Sequence, residues 1–305
     1  MTSKHSKNFI LLFFTAIIWG VAFVAQSVGM DYVGPYTFNA IRSFLGGIVL
    51  IPCIFIFRRP KSSAQEKEGT MDRPRDLVIG GGLCGLMLFI STTLQQVGIQ
   101  YTTVAKAGFI TALYIVLVPV LGIFIKKKIG LKVWISVVIA LAGLYLLCMK
   151  GSFSLGKGDF LVLLCSLCFA LHILVIDYFT QRVSGVKLSC IQFFITGILS
   201  SVLMFLFETP TWAGILAAWL PIFYAGVFSC GVAYTFQIIG QRGTDPTVAS
   251  LILSLESVVS VLAGWLLLGQ GLTPREILGC VLMFGAILLA QVSPSKKVHK
   301  KHAHL

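Results

Sequence analysis

The stretch QQVGIQYTTVAKAGFITALYIVLVPVLGIFIKKK (Gln95–Lys128), followed by LKVWISVVIALAGLYLL (Leu131–Leu147), decides the fold. It closes one apolar run, turns within a few residues, makes a second run, meets a lysine cluster and begins a third. The chain repeats the pattern 142 residues later. At that shift Gln95 meets Gln237, Thr102 meets Thr244, Ala107 meets Ala249 and Leu113 meets Leu255. Gly122 then meets Gly264, Ile135 meets Ile277, Gly143 meets Gly285, and Leu146-Leu147 meets Leu288-Leu289. Small and kink-permitting residues fall in register, which shared hydropathy alone would not produce. A diverged internal repeat follows, its second copy lying over Gln237–Leu289.

Composition sets the solvent. Of 305 residues, 57% are apolar and only 11% are charged, where a soluble domain carries roughly 25% charged residues. Mean hydropathy is +0.92. Too few polar side chains exist to cover a globular surface, so the expected partners are the lipid bilayer and a small-molecule substrate. The formal charge of +13 suggests nucleic acid at first sight. However, the basic residues sit in short clusters between apolar runs, a placement that sets membrane orientation. The eight cysteines all lie inside apolar runs. Cys165 and Cys168 form a mid-span CxxC without flanking ligands and read as small packing residues. No metal site, cofactor or nucleic-acid partner is expected.

A crossing segment needs about 20 mostly apolar residues. Ten stretches qualify, at approximately 9–29, 35–57, 76–99, 103–125, 132–150, 158–181, 187–207, 217–239, 246–269 and 274–292. The first is too long for a signal-peptide core and is read as a retained span. Pro35, Pro246 and Pro274 stand where first helical residues belong, with Asp245 and Thr273 as N-caps. Pro52 and Pro119 fall inside spans and predict kinks. With the N-terminus cytoplasmic, 19 of the 24 Lys and Arg face inward and three (Lys150, Lys157, Arg275) face outward, in keeping with the positive-inside rule. The polar stretch 58–75 reads as a cytoplasmic linker and 294–305 as a basic cytoplasmic tail.

Five spans per half is an odd number, so the second half enters the membrane from the opposite side. The predicted architecture is therefore an all-α integral membrane protein of ten transmembrane helices, arranged as two inverted five-helix repeats (1–150 and 151–293) around a central cavity. Over the first two spans the shift is nearer 150, setting Trp19 opposite Phe169 and Gly47 opposite Gly197. Gly80–Gly82, Gly46-Gly47, Gly143 and Gly285 are expected to let helices approach closely.

An ionisable side chain within a span is costly in lipid and is a functional candidate by default. Arg42 lies about 12 Å into the second span at 1.5 Å per residue, so it faces a wet cavity or a partner. Lys106 opens the fourth span, where it either snorkels to water or holds an anion. Glu256 lies about ten residues into the ninth span, opposite Tyr114 under the 142 shift. It must be paired, protonated or hydrated, with Arg42 as one possible partner, and it is a candidate proton carrier. His172, mid-span, either relays protons or bonds a neighbouring helix. Asp177 and Glu208 sit near span ends and are expected to reach water. Gln95 and Gln237 match across the repeat and either bind substrate or join helices. Trp19, Phe23, Tyr114, Tyr234 and Trp265 are the aromatic candidates for the cavity wall.

Trp19-Gly20 with its following small and aromatic residues, Arg42 within IRSF, the turn QYTT before AKAGFITALYIVLVP, and SLILSLESVVSVLAGWLLLGQ of the ninth span together resemble the EamA family of the drug/metabolite transporter superfamily. The resemblance covers about residues 9–292. Two departures stand out. Ser257, not proline, follows Glu256, and the ninth span closes on Gly269-Gln270 where the family often has glycine-glutamate. The resemblance implies ten helices around a central cavity and carriage of small metabolites, which in the family include amino acids, sugars, nucleotide derivatives and drugs. It also implies export as the direction and a bacterial inner membrane as the location. A channel-like facilitator or a non-transporting receptor is the rival reading. A membrane enzyme is disfavoured, because the ionisable residues are scattered and form no nucleophile–base pair.

Overall fold

The computed structural model describes residues 3–56, 73–102, 104–127, 129–148, 156–268, 271 and 273–292. Most of the 58–75 linker, the 294–305 tail, Lys150 and the Gly269-Gln270 pair lie outside the described residues. Every regular element described is helical. The first half holds α1 (Ser3–Gly29), α2 (Pro35–Ile56), α3 (Pro74–Ile99), α4 (Val104–Thr111), α5 (Tyr114–Phe124) and α6 (Leu131–Cys148). The second holds α7 (Lys157–Phe179), α8 (Gly185–Phe207), α9 (Trp212–Ala217) and α10 (Trp219–Phe223). A π-helix (Tyr224–Ala233), α11 (Tyr234–Gln241), α12 (Pro246–Leu253), α13 (Leu255–Leu268) and α14 (Pro274–Val292) complete it. Eight segments are long and apolar enough to cross a membrane, and α6 is apolar but shorter over Leu131–Leu147.

The bundle is turned inside out relative to a soluble protein. Phe124, Phe205 and Leu266 are 70% or more exposed, while Arg42, Gln95, His172, Gln192, Gln237 and Glu256 are buried. An apolar exterior of this extent belongs in lipid. The chain is a multi-pass membrane protein.

Helix starts follow the proline and capping chemistry expected of them. Pro35, Pro246 and Pro274 open their helices, as does Pro74. The Asp245 carboxylate accepts from the Thr247 and Val248 amides at 2.8 and 3.4 Å. Thr273 and Glu276 cap one another, the Glu276 carboxylate accepting from the Thr273 amide at 2.7 Å. Glu208, expected to reach water, instead accepts from the Tyr36 and Thr37 amides at 2.9 and 2.8 Å. A carboxylate from the end of α8 thus satisfies orphan donors of α2 and opposes its dipole. Asp177 is likewise engaged, in an ion pair with Lys127.

Packing between α2 and α8 is reciprocal. A Cβ on Gly47 would lie 3.1 Å from the Phe194 ring, and one on Gly197 would lie 3.1 Å from the Phe44 ring. In α6 and α14 the close approach differs from expectation. Gly143 meets Gly279, where a Cβ on either would lie 2.8 or 2.6 Å from the other's carbonyl oxygen, whereas Gly285 faces open space.

Two helices break where the sequence suggested no break. The fourth span is interrupted at Ala112-Leu113, upstream of Pro119, and the ninth at Ser254 with no proline nearby. Tight three-residue turns close both gaps, from Ile115 N–H to Ala112 O at 3.0 Å and from Ser257 N–H to Ser254 O at 3.1 Å. Pro119 and Pro52 lie within α5 and α2, which run on through them.

Candidate functional site

A cavity with about 30 Å³ open to water lies where the two breaks meet. That is room for a water or two and far below the roughly 300–1,000 Å³ of occupied small-molecule sites, so the site is closed down in this conformation. From α1 come Trp19, Ala22, Phe23 and Gln26, spaced three and four residues apart along one helix face. Arg42 (α2), Gln95 (α3), Thr111 (α4) and Tyr114 (α5) complete the first half's share. The second half supplies Phe169 and Ile173 (α7), Ser229 (π-helix), Tyr234 and Gln237 (α11), and Glu256 (α13).

The local backbone explains how these groups reach one place. The break at Ala112-Leu113 immediately precedes Tyr114, and the break at Ser254 is two residues before Glu256. The Tyr114 hydroxyl donates to Glu256 Oε1 at 2.9 Å. Gly20 brings α1 against this region, because a Cβ there would lie 2.7 Å from the Glu256 carbonyl oxygen. The π-helix adds an extra residue per turn, its last bond running from Tyr234 N–H to Ser229 O. Such segments are frequent at functional sites. Here it sets Ser229 and Tyr234 on the cavity side, with the Tyr234 ring 4.6 Å from that of Trp19.

The polar groups of the wall are incompletely matched. Arg42 is 4% exposed, and its guanidinium carbon sits 5.5 Å from the centre of the Phe38 ring. Among the described residues it forms no ion pair. Of the possibilities raised for Glu256, pairing with Arg42 is not formed, and the carboxyl instead accepts from Tyr114. Gln95 donates to the Thr111 hydroxyl at 3.2 Å. Trp19 Nε1, Gln26 Oε1 and Gln237 Oε1 are buried with no hydrogen-bond partner among the described residues. Buried polar groups in native structures are normally satisfied, so these atoms are available to a ligand or to water.

Seven of the eight residues read from the sequence as substrate-binding therefore line one cavity: Trp19, Arg42, Gln95, Tyr114, Tyr234, Gln237 and Glu256. Lys106 does not. Its ammonium is ion-paired with Asp159 at 2.9 Å near the start of α7. His172 lies behind the wall, its Nε2 at 3.1 Å from Gln192 Oε1 and its ring edge-on to Tyr234. Trp265 is 45% exposed on the bundle's exterior. Gln26, Thr111 and Ser229 are lining residues that charge-based reasoning missed. Gln26 had a signal, because it stands seven residues after Trp19 on the same helical stripe.

The comparisons with known proteins agree with this architecture. The profile of the EamA-like transporter family matches residues 6–149 and again residues 156–291. An uncharacterized transporter of Archaeoglobus fulgidus is 29% identical over 91% of this chain and 83% of its own length. The uncharacterized transporter YoaV of Bacillus subtilis is 23% identical over 92% of this chain and 95% of its own. The uncharacterized inner membrane transporter YedA of Escherichia coli K12 is 25% identical over 91% and 89%. A solved structure described as "Crystal structure of protein" superposes with a TM-score of 0.73 at 19% identity, covering 93% of this chain and 96% of the other. That likeness shows the fold.

Proposed function

The chain belongs to the EamA-like transporter family, and from that premise we propose that it is a secondary transporter of small polar metabolites bearing a carboxylate, such as amino acids. It is a transporter rather than an enzyme. The observation that carries the substrate class is Arg42, a buried guanidinium with no ion pair among the described residues, in a cavity whose lining carboxyl, Glu256, is already bonded by Tyr114. A guanidinium offers paired donors that match a carboxylate. The unpartnered amide oxygens of Gln26 and Gln237 suit a substrate ammonium or hydroxyl.

Alternating access is the proposed mechanism, with ten spans in two inverted five-helix repeats moving about the cavity. Three observations support the repeat. The family profile matches twice. Gly47 packs on Phe194 as Gly197 packs on Phe44, both glycines and both rings being 150 residues apart. Tyr114 and Glu256, equivalent under the 142 shift, touch each other, as equivalent residues do only beside a two-fold axis. Glu256 is the proposed site of proton coupling, with His172 one layer behind. Export, a bacterial inner membrane and cytoplasmic termini complete the reading, the last supported by the 19:3 distribution of basic residues.

Counterflow in proteoliposomes with a panel of amino acids, organic acids, nucleosides and organic cations tests this. Trans-acceleration by carboxylate-bearing compounds is expected. Replacing Arg42 by Gln, the residue found at the equivalent position 192, should reduce it roughly 30- to 1,000-fold, the cost of stripping a buried charge of its partner. Transport confined to purely cationic compounds would overturn the substrate class.

A further inference from the structure

Beyond the cavity, each end of the bundle carries the same small constellation. At one end the turn Gln100–Thr102 after α3 meets the start of α7. Asp159 accepts from the Thr102 hydroxyl at 2.5 Å and from the Lys106 ammonium at 2.9 Å. Beside it Gly158 packs on Gly98, where a Cβ would lie 2.7 Å from the Gly98 carbonyl oxygen. At the other end the turn after α11 meets the start of α1. Asn8 donates to the Arg242 carbonyl at 3.0 Å and to the Thr244 hydroxyl at 3.1 Å. Beside it a Cβ on Gly240 would lie 3.1 Å from the Asn8 carbonyl oxygen.

These contacts correspond. Thr102 and Thr244, and Gly98 and Gly240, are 142 residues apart, and Asn8 and Gly158 are 150 apart, so the latching side chain comes from the equivalent of Gly158 at one end and from the next residue, Asp159, at the other. They also lie at opposite ends. α7 starts at the first turn, and its far end packs Phe179 into a cluster with Ile238, two residues before Gly240. The cavity lies between, touching α7 at Phe169 and Ile173.

The two constellations differ in charge. Asp159 is a carboxylate, 3% exposed and ion-paired, where the other end uses the amide of Asn8. Val248 stands at the position equivalent to Lys106. We propose that the two turns are the two gates of the cavity, closed by equivalent latches of unequal strength, and that the Asp159–Lys106 ion pair makes the gate at Gln100–Thr102 the harder one to open. The protein therefore rests with its easier opening at the Arg242–Thr244 end. This rests on the alternating-access reading above and adds to it the regulation of access.

Thiol labelling tests the proposal without needing a substrate. Ser229→Cys, in a chain whose eight cysteines are replaced by alanine or serine, reports on the cavity. A membrane-impermeant maleimide is added to either face of oriented proteoliposomes. Lys106→Val copies the second latch into the first, and Asp159→Asn keeps the shape of the latch while removing its charge. Each is expected to raise labelling from the Gln100–Thr102 face by about two- to fivefold, the scale of one part-exposed ion pair, and Asn8→Ala to raise it from the opposite face. Thermal melting and monodispersity select the variants that fold. Unchanged labelling in both charge variants, or a rise from the wrong face, overturns the latches. The expected labelling pattern without counterflow of any compound would sink the transport reading and leave the unequal latches standing.

Discussion

The α4–α5 and α12–α13 breaks are the same backbone event written in different side chains. Both interrupt a membrane helix at mid-length, both close with a three-residue turn, and the two turns are 142 residues apart. At the first break the chain presents Tyr114, and at the second it presents Glu256. The second follows serines whose hydroxyls bond back onto α12, from Ser250 to Thr247 O at 2.8 Å and from Ser254 to Leu251 O at 2.7 Å. Serine offers the carbonyls of a broken helix a local partner. The first break has no such set and is followed by Pro119. Backbone geometry is thus duplicated, while the ionisable group is not. A buried cavity tolerates one carboxyl bonded by a phenol, whereas two carboxyls at contact distance would repel. The asymmetry is the arrangement that lets Tyr114 and Glu256, 142 residues apart, meet.

Removing the carboxyl tests the comparison most severely. Glu256→Ala leaves the buried Tyr114 hydroxyl without its acceptor and should reduce substrate counterflow roughly 10- to 100-fold, the scale of a buried donor left unsatisfied. Glu256→Gln is the sharper variant, because the amide oxygen still accepts from Tyr114 while the group no longer titrates. Its expected signature is transport that persists near the parental rate but no longer varies with pH. Transport that keeps its full pH dependence in Glu256→Gln would move the coupling site elsewhere, with His172 next in line.

The sequence made eight spans legible because lipid demands about 20 apolar residues per crossing. It made several helix starts legible because proline and an N-cap act locally. The repeat was readable because glycines and glutamines held register across it. The breaks were not. Pro119 marked the wrong position, and Ser254 carries no breaking signal, because the irregular turn is stabilised by the neighbouring helix as well as locally. Lys106 illustrates a second limit. A lysine in a first turn looks the same whether it faces a cavity or an acid, and Asp159 comes from 53 positions away. Gln26, Thr111 and Ser229 escaped for the opposite reason, since uncharged polar residues are common in membrane helices and only geometry separates lining from packing.

A smaller effect is expected from the phenol. Tyr114→Phe removes the bond to Glu256 but leaves the ring in place, and the wall retains Gln95 and Arg42 nearby. Loss of one neutral donor to a carboxyl corresponds to about 1 kcal/mol, or roughly fivefold in counterflow, with pH dependence retained. If Tyr114→Phe instead matched Glu256→Ala in severity, the phenol itself would contact substrate, and the two breaks would be functional equals.

The smallest effect should come from the contact that ties the two broken helices together. Ser257 follows Glu256 and donates to the Gly108 carbonyl on α4 at 3.1 Å. A Cβ at Gly108 would lie 3.8 Å from that hydroxyl, an ordinary contact, so the bond does not depend on the glycine. Ser257→Ala should lower the melting temperature by a few degrees at most, because interhelical hydrogen bonds in membranes average about 0.6 kcal/mol. Counterflow should change by less than about threefold on the same scale. A larger loss of transport with an unchanged melting temperature would mean that the bond couples the movement of α4 and α13 rather than merely holding them. The duplicated breaks would then act as one joint.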